Sequence, residues 1–306
     1  MPISNLSLTV EPEQAGRVDL IVRQMTNTSR SQVRGMVDHG CVSVNKVLCK
    51  SLGRTVSVGD VVEVKYDPAQ RYHEKKKRWD DRAFTMVFED DHLIVVDKTA
   101  GVLTVPTPKA ESNTLVDRVS SYISFSRSKR EACVIHRLDR DVSGLLVFGK
   151  HQGVADRLIE QFKQRKPERL YAALVAGVVK ADEGTMEAHL ATGKNLDRFI
   201  AAESKDTERA ITHFKVLKRM SDTTLVEARL ETGKRNQIRV QFAHAGHPVL
   251  GDPRYRTEQA AHPGWARKRI ALHAKTLGFF HPLTGEEVRF EAPIPSTMKK
   301  FMIANR

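Results

Sequence analysis

Residues 135–150 read IHRLDRDVSGLLVFGK. One carboxylate, Asp139, stands among the basic side chains of His136, Arg137 and Arg140, and the chain then enters the apolar run SGLLVFGK, residues 143–150. A short apolar run bounded by charge predicts a fully buried strand. The charged turn is therefore presented at the mouth of a sheet. A bare R-x-D is an ordinary salt-bridged loop, so this segment alone names no chemistry. It also comes close to the phosphate-cradling G-x-x-x-x-G-K-[ST] pattern, but His151 takes the place of the metal-binding hydroxyl. LLVF between the glycines is a strand that cannot wrap a phosphate, which excludes nucleotide hydrolysis.

Outward from this stretch the chain alternates strand and helix signals. LIVVDK (93–98), LYAALVAG (170–177), ITHFKVL (211–217) and TLVEARL (224–230) predict strands. Val154, Leu158, Ile159 and Phe162 share one face of a helix, and Ile238, Phe242 and Ala245 share a face of another that stops near Gly246. The pattern predicts an α+β protein with a large mixed β-sheet and flanking helices. His244-x-x-His247 lacks the H-E-x-x-H arrangement and further ligands, so no metal site is expected. No G-x-S-x-G elbow or fixed-period repeat occurs.

The front of the chain reads differently. Val18, Ile21, Val22 and Met25 form one helical stripe; Ser29 and Gln32 have capping-box spacing; Val33, Met36 and Val37 make a second stripe ending at Gly40. Arg30 and Arg34, four apart, share a face of that second helix. VSVN (42–45), a turn at Lys46, and VSVGDVVEV (56–64) predict small strands and a hairpin. Residues 67–83 carry KKKR without an apolar period and read as a basic linker.

A length of 306 residues suits about two domains. Three cysteines, Cys41, Cys49 and Cys133, without C-x-x-C, exclude a disulfide framework and a zinc ribbon. The opening MPISNLSLTV has no signal-peptide character and no run reaches the ~18 apolar residues of a membrane span, so a cytoplasmic protein is expected. A net charge of +13 points to nucleic acid as the partner.

Residues 17–66, through SRSQVRGMVDHGCVSVNK, resemble the S4 RNA-binding domain, a small α/β module. The resemblance implies that Arg30, Arg34, Asn45 and Lys46 touch RNA phosphate and sugar. HRLDRDVSGLLVFGK is similar to the signature of the RluA-type pseudouridine synthases, the family of RluC and RluD. DDHLIVVDKTAGVLTVPT (90–107), RLYAALVAG (169–177), LETGKRNQIRVQFAHAGHPVLGDPRY (230–255) and ALHAKTLGFFHPLTGEEVRFEAPIP (271–295) resemble further motifs of that family.

The resemblance implies a catalytic domain over residues 84–306 that converts uridine to pseudouridine within RNA, an isomerisation needing no cofactor or metal. It implies that Asp139 is the essential carboxylate, as nucleophile or as the base that takes a ribose proton; the sequence leaves both open. Arg239, in the Q-I-R position, would keep it ionised, because an adjacent guanidinium lowers a carboxylate by about 1–3 pKa units and so offsets burial. Tyr171 would stack on the base. His136 and Arg137 would bind the target nucleotide, which must leave its stack at a cost of a few kcal/mol.

Several positions depart from the family pattern: Thr99 where proline is usual, Val142 where threonine is common, and Lys234, Asn236 and Gln241 in place of an arginine and two histidines. They spare Asp139, Tyr171 and Arg239 and bear on which uridine is chosen, if these side chains line the RNA path. The expected substrate is 23S-type ribosomal RNA and the expected state a monomer. Transfer RNA as substrate, or an inactive assembly factor bound to ribosomal RNA, are the alternatives.

Overall fold

The computed structural model describes residues 3–72, 81–108, 110–126, 131–193, 197–265 and 269–305. The KKKR run of the expected linker lies outside them. The chain divides into two compact units, residues 1–79 and 80–306. Among the described residues no helix is long and apolar enough to cross a membrane.

The first unit runs β1 (Ser4–Thr9), β2 (Gly16–Arg17), α1 (Val18–Thr26), α2 (Arg30–Asp38), β3 (Val42–Val44), β4 (Val47–Leu48), β5 (Thr55–Val56) and β6 (Val61–Tyr66). The sheet order is β1-β6-β3-β4, with β2 and β5 paired separately. Both helices bury the stripes read from sequence: Val18, Ile21 and Val22 from α1, and Val33, Met36 and Val37 from α2, meet Val42, Val44, Val62 and Val64. Each such side chain contributes roughly 1.5–3 kcal/mol of burial. Ser29 Oγ accepts the backbone N–H of Gln32 at the start of α2, but the Gln32 side chain does not close a capping box. Its Oε1 accepts the backbone N–H of Tyr72 at 2.8 Å instead. Tyr72 is buried in this core, so the segment just after β6 packs as part of the unit. Gly35 is required there, since a Cβ would lie 2.3 Å from the Tyr72 carbonyl oxygen.

The second unit holds an eleven-stranded sheet. Its elements are β7 (Phe84–Glu89), β8 (Leu93–Lys98), α3 (Leu115–Ser126), β9 (Cys133–Val134), β10 (Ser143–Gly149), α4 (Gln152–Lys163), β11 (Glu168–Ala176), β12 (Glu183–Thr192), β13 (Arg198–Ala201), β14 (Glu208–Arg219), β15 (Thr223–Leu230), α5 (Gln237–His244), α6 (Thr257–Ala260), β16 (Leu272–Phe280), β17 (Glu287–Glu291) and α7 (Ser296–Ala304). The main order is β13-β12-β14-β15-β11-β16-β10-β8-β7, with β17 on β16 and β9 on β10. This is the expected α+β architecture with a mixed sheet, the β10–β16 pair being parallel.

One rung at the centre positions the site. Ala274 of β16 pairs with Tyr171 of β11 on one side and with Gly144 of β10 on the other. Tyr171 and the start of β10 therefore lie on one rung at mid-sheet, with β16 between them. Glycine is obligatory at 144: its φ is +120°, and a Cβ would come within 2.3 Å of the Ala274 carbonyl oxygen.

Candidate active site

The turn before β10 is held from beneath by the segment after β8. Lys98, fully buried, donates from Nζ to the carbonyl oxygens of Thr99 (3.0 Å), Val102 (2.9 Å) and Arg140 (3.0 Å). Gly101 N–H also donates to the Arg140 carbonyl at 2.8 Å. Thr104 Oγ1 donates to the Leu138 carbonyl at 2.7 Å and accepts the Leu138 N–H at 3.1 Å. Burial pushes the Lys98 ammonium down to about 7, against the opposing pull of Asp141, Asp139 and Asp97. The lysine of LIVVDK thus clamps the backbone on which Asp139 is mounted, a role that a strand signal does not announce.

Asp139 lies on the wall of a cleft of about 750 Å³ that Tyr171 and Arg239 also line. Arg239, one turn into α5, donates from Nη1 to Asp139 Oδ2 at 2.7 Å. Asp139 Oδ1 accepts no hydrogen bond among the described residues, and the side chain keeps 27% of its surface exposed. Its free oxygen faces an open space that can take a ligand.

Arg239 is itself gripped from behind. Its Nε and Nη2 donate to Asp252 Oδ2 and Oδ1 at 2.6 and 2.9 Å, a bidentate pair, and its guanidinium lies 5.2 Å from the centre of the Tyr255 ring. Burial works against its charge, but hydrogen bonds and charge from Asp252 and Asp139 more than offset this and hold the guanidinium above its ordinary range. Asp252, completely buried, also accepts the backbone N–H groups of Arg254 (2.9 Å) and Tyr255 (3.2 Å). Asp252 escapes a motif reading centred on Q-I-R. Its signal is the acidic residue of GDPRY, the end of the third motif, after the helix that carries Arg239.

Tyr171 is buried, and its hydroxyl is pushed up by burial, with Arg169 opposing and Asp139 adding to the shift. Arg137 is exposed at the rim of the cleft. His136, expected to bind the target nucleotide, lines the cleft as well. Its ring stacks on Phe162 at 4.6 Å and its Nε2 accepts the Val147 N–H at 3.2 Å. Burial, with the charge of Arg169, pushes it down to about 3. A neutral ring at physiological pH shapes the wall.

The departures in the third motif divide. Lys234 and Asn236 line the cleft. Gln241 does not: it is buried at 2% exposure, accepts from Thr212 Oγ1 at 2.6 Å and donates to the carbonyls of Met186 and Ala210, both at 3.0 Å. It ties α5 to the sheet, so its replacement of a histidine has no direct bearing on the RNA path. Among the described residues no cluster of His, Cys, Asp and Glu is arranged to hold a metal.

In the first unit Arg30 and Arg34 are exposed on α2. Arg30 Nε is 3.6 Å from Asp19 Oδ2, whose carboxylate already accepts Arg17 Nε and Nη2 at 3.0 Å each. Asn45 and Lys46 form the β3–β4 turn with φ of 52° and 64°, the left-handed pair that a two-residue hairpin needs. The Asn45 amide has a structural occupation: it donates to Asp60 Oδ1 and accepts the Val61 N–H, both at 2.8 Å. Lys46 is the exposed basic group of that turn.

Residues 92–244 match the family described as RNA pseudouridylate synthase, and residues 16–62 match the S4 domain. The chain is 34% identical over 310 residues to an uncharacterized RNA pseudouridine synthase, YlyB, of Bacillus subtilis, covering 98% of both chains. It is 32% identical over 321 residues to the ribosomal large subunit pseudouridine synthase D of Zymomonas mobilis, covering 100% of both. Among solved structures, human RNA Pseudouridylate Synthase Domain Containing 4 superposes with a TM-score of 0.60 at 20% identity, covering 71% of this chain and 91% of that one.

Proposed function

The chain belongs to the RNA pseudouridine synthases, with an S4 domain ahead of the catalytic unit, and from that premise we propose that it isomerises uridine in large-subunit ribosomal RNA in the cytoplasm, using Asp139. The name of the Zymomonas relative supports the choice of RNA. The observation that carries the assignment to Asp139 is its ion pair with Arg239, 2.7 Å long and using one oxygen only. A carboxylate oriented by a guanidinium through one oxygen, with its second oxygen open to a cleft, is what the reaction asks of a protein.

Uridine and pseudouridine are isomers. The N1–C1′ bond breaks, the base turns, a C5–C1′ bond forms, C5 gives up its proton and N1 takes one up. Asp139 serves either by bonding to C1′ or by taking the C2′ proton, and in both routes its negative charge is consumed in the first half and restored in the second. Tyr171 supplies a flat face for the base, and Arg137 at the rim fills the helix position that the nucleotide leaves. In the first unit Arg30, Arg34 and Lys46 hold RNA phosphates.

Asp139→Asn preserves shape and removes the charge. Pseudouridine formation should disappear while RNA affinity stays within about twofold; measurable turnover by this variant sinks the assignment. Mapping pseudouridines across all RNA of cells with and without the protein decides the substrate. A large-subunit position should revert to uridine, and losses confined to transfer RNA would move the activity there.

A further inference from the structure

The cleft holds a second buried guanidinium, and it lacks what Arg239 has. Arg169, on β11 two residues before Tyr171, is 92% buried by its 8% exposure and lines the same cleft. No carboxylate of the described residues lies within ion-pair distance of it. Its hydrogen bond to the Glu231 carbonyl is long, at 3.5 Å, and its Nε has no partner. The guanidinium is 5.6 Å from the centre of the Phe162 ring and packs so closely on Gly233 that a Cβ there would be 2.3 Å from Nη1. Burial lowers its pKa, with Tyr171 opposing. Besides Arg239, the other cations of the cleft are paired or exposed: Lys234 with Glu208 at 2.9 Å, Arg165 with Glu231 at 3.7 Å, and Lys163, Arg137 and Arg235 on the exposed surface. Burying a charge without a counter-ion is costly, so this cation stands ready for an anion that arrives with the substrate.

We propose that Arg169 is a catalytic residue that holds the negative charge of the detached uracil. This rests on the pseudouridine synthase reading and adds a group to it. When N1–C1′ breaks heterolytically the electron pair leaves with the base, as a uracil anion whose charge is spread over N1, O2 and O4. On the nucleophile route Asp139 forms an ester to C1′; on the base route it takes the C2′ proton and leaves a C1′–C2′ double bond. Either way Asp139 is then neutral, and Arg239 is balanced by Asp252 alone. The negative charge has moved from the carboxylate to the base, and the buried cation not already balanced is Arg169. A preorganised donor aimed at charge that develops during the reaction is the strongest electrostatic device available to such a site. Phosphodiester binding is the competing use of the same guanidinium.

Single-turnover conversion at saturating large-subunit RNA transcript separates the two. Arg169→Met should slow the rate constant by about 100-fold or more with RNA affinity within about twofold, and Arg169→Lys should recover part of the loss. With 5-fluorouridine at the target position, read as disappearance of the N1-linked nucleoside, the deficit should shrink, because fluorine stabilises the departing anion. A full rate in Arg169→Met, or an equal deficit on both nucleosides with weaker binding and a shallower salt slope, overturns the proposal, the second result in favour of a phosphate contact. If Arg169→Met does not fold, Gly233→Ala decides on the same readouts, since it keeps the charge and displaces the guanidinium. Wild-type protein that makes no pseudouridine would instead defeat the functional reading itself.

Discussion

Asp252 has no route to the substrate, yet it fixes where the Asp139 carboxylate sits. Its two oxygens take the Nε and Nη2 donors of Arg239 at 2.6 and 2.9 Å, leaving Nη1 to reach Asp139. Asp252→Asn turns one acceptor into a donor facing another donor, so the guanidinium must rotate or shift. A misplacement of about 1 Å can cost about 100-fold in rate. The expected result is a single-turnover rate lower by about that factor with RNA affinity unchanged, read beside a thermal melt to separate positioning from unfolding. An unchanged rate would show that Arg239 needs no second anchor. The residues proposed for the chemistry were legible in sequence because each stands inside a short motif, and Asp139, Tyr171 and Arg239 line one cleft. Those that act through contacts were not. Lys98 reads as the polar end of a strand and Asp252 as a turn residue, and it is packing across 42 and 13 positions respectively that brings them to Arg140 and Arg239. Arg169 is a third kind, since its meaning lies in the carboxylate it does not have.

The elements show a similar division. β8, β10, β11 and β15 were visible as apolar runs because their positions are mostly buried, which removes polar alternatives. β12, EGTMEAHLAT, has mostly exposed or half-exposed positions and too little apolar content to signal a strand; its long pairing with β14 makes it one. The β10–β16 contact also contributes to the pH dependence of stability. His273 of β16, opposite Ser143, lies 2.9 Å from the Ser143 hydroxyl through Nδ1, and burial, with Arg269 adding, pushes its imidazole down to about 4. The unfolded chain takes a proton at this residue below about pH 6.5 while the folded chain refuses it until about pH 4. Stability therefore falls as pH drops through that window, by up to about 1.4 kcal/mol per pH unit from this group. His136, down at about 3, acts in the same direction. Urea unfolding from pH 7 to 4.5 should show the decline, and His273→Asn should remove one proton from its slope. A slope identical in the variant would mean that His273 titrates normally in the folded state.

At the level of the whole molecule, a net charge of +13 and an S4 domain suit an RNA partner held through its phosphates. The Arg239 guanidinium is already engaged by two carboxylates before RNA arrives, so the attraction for RNA has to come from elsewhere. The exposed arginines of α2 and Lys46 of the β3–β4 turn are the groups of the first unit suited to it. Each phosphate neutralised releases counter-ions, which lowers the slope of log affinity against log salt by about 0.7–0.9 per contact. Replacing Arg30, Arg34 and Lys46 together by alanine in the full chain should weaken binding and flatten that slope by about 2 to 3. The rate at saturating RNA should stay where it was, because nothing at Asp139 has changed. Equilibrium binding of large-subunit RNA between 50 and 300 mM salt measures the first, and single-turnover conversion the second. An unchanged slope would remove the first unit from RNA binding and leave the cleft rim, with Arg137 and its neighbours, to supply the whole of the electrostatic attraction.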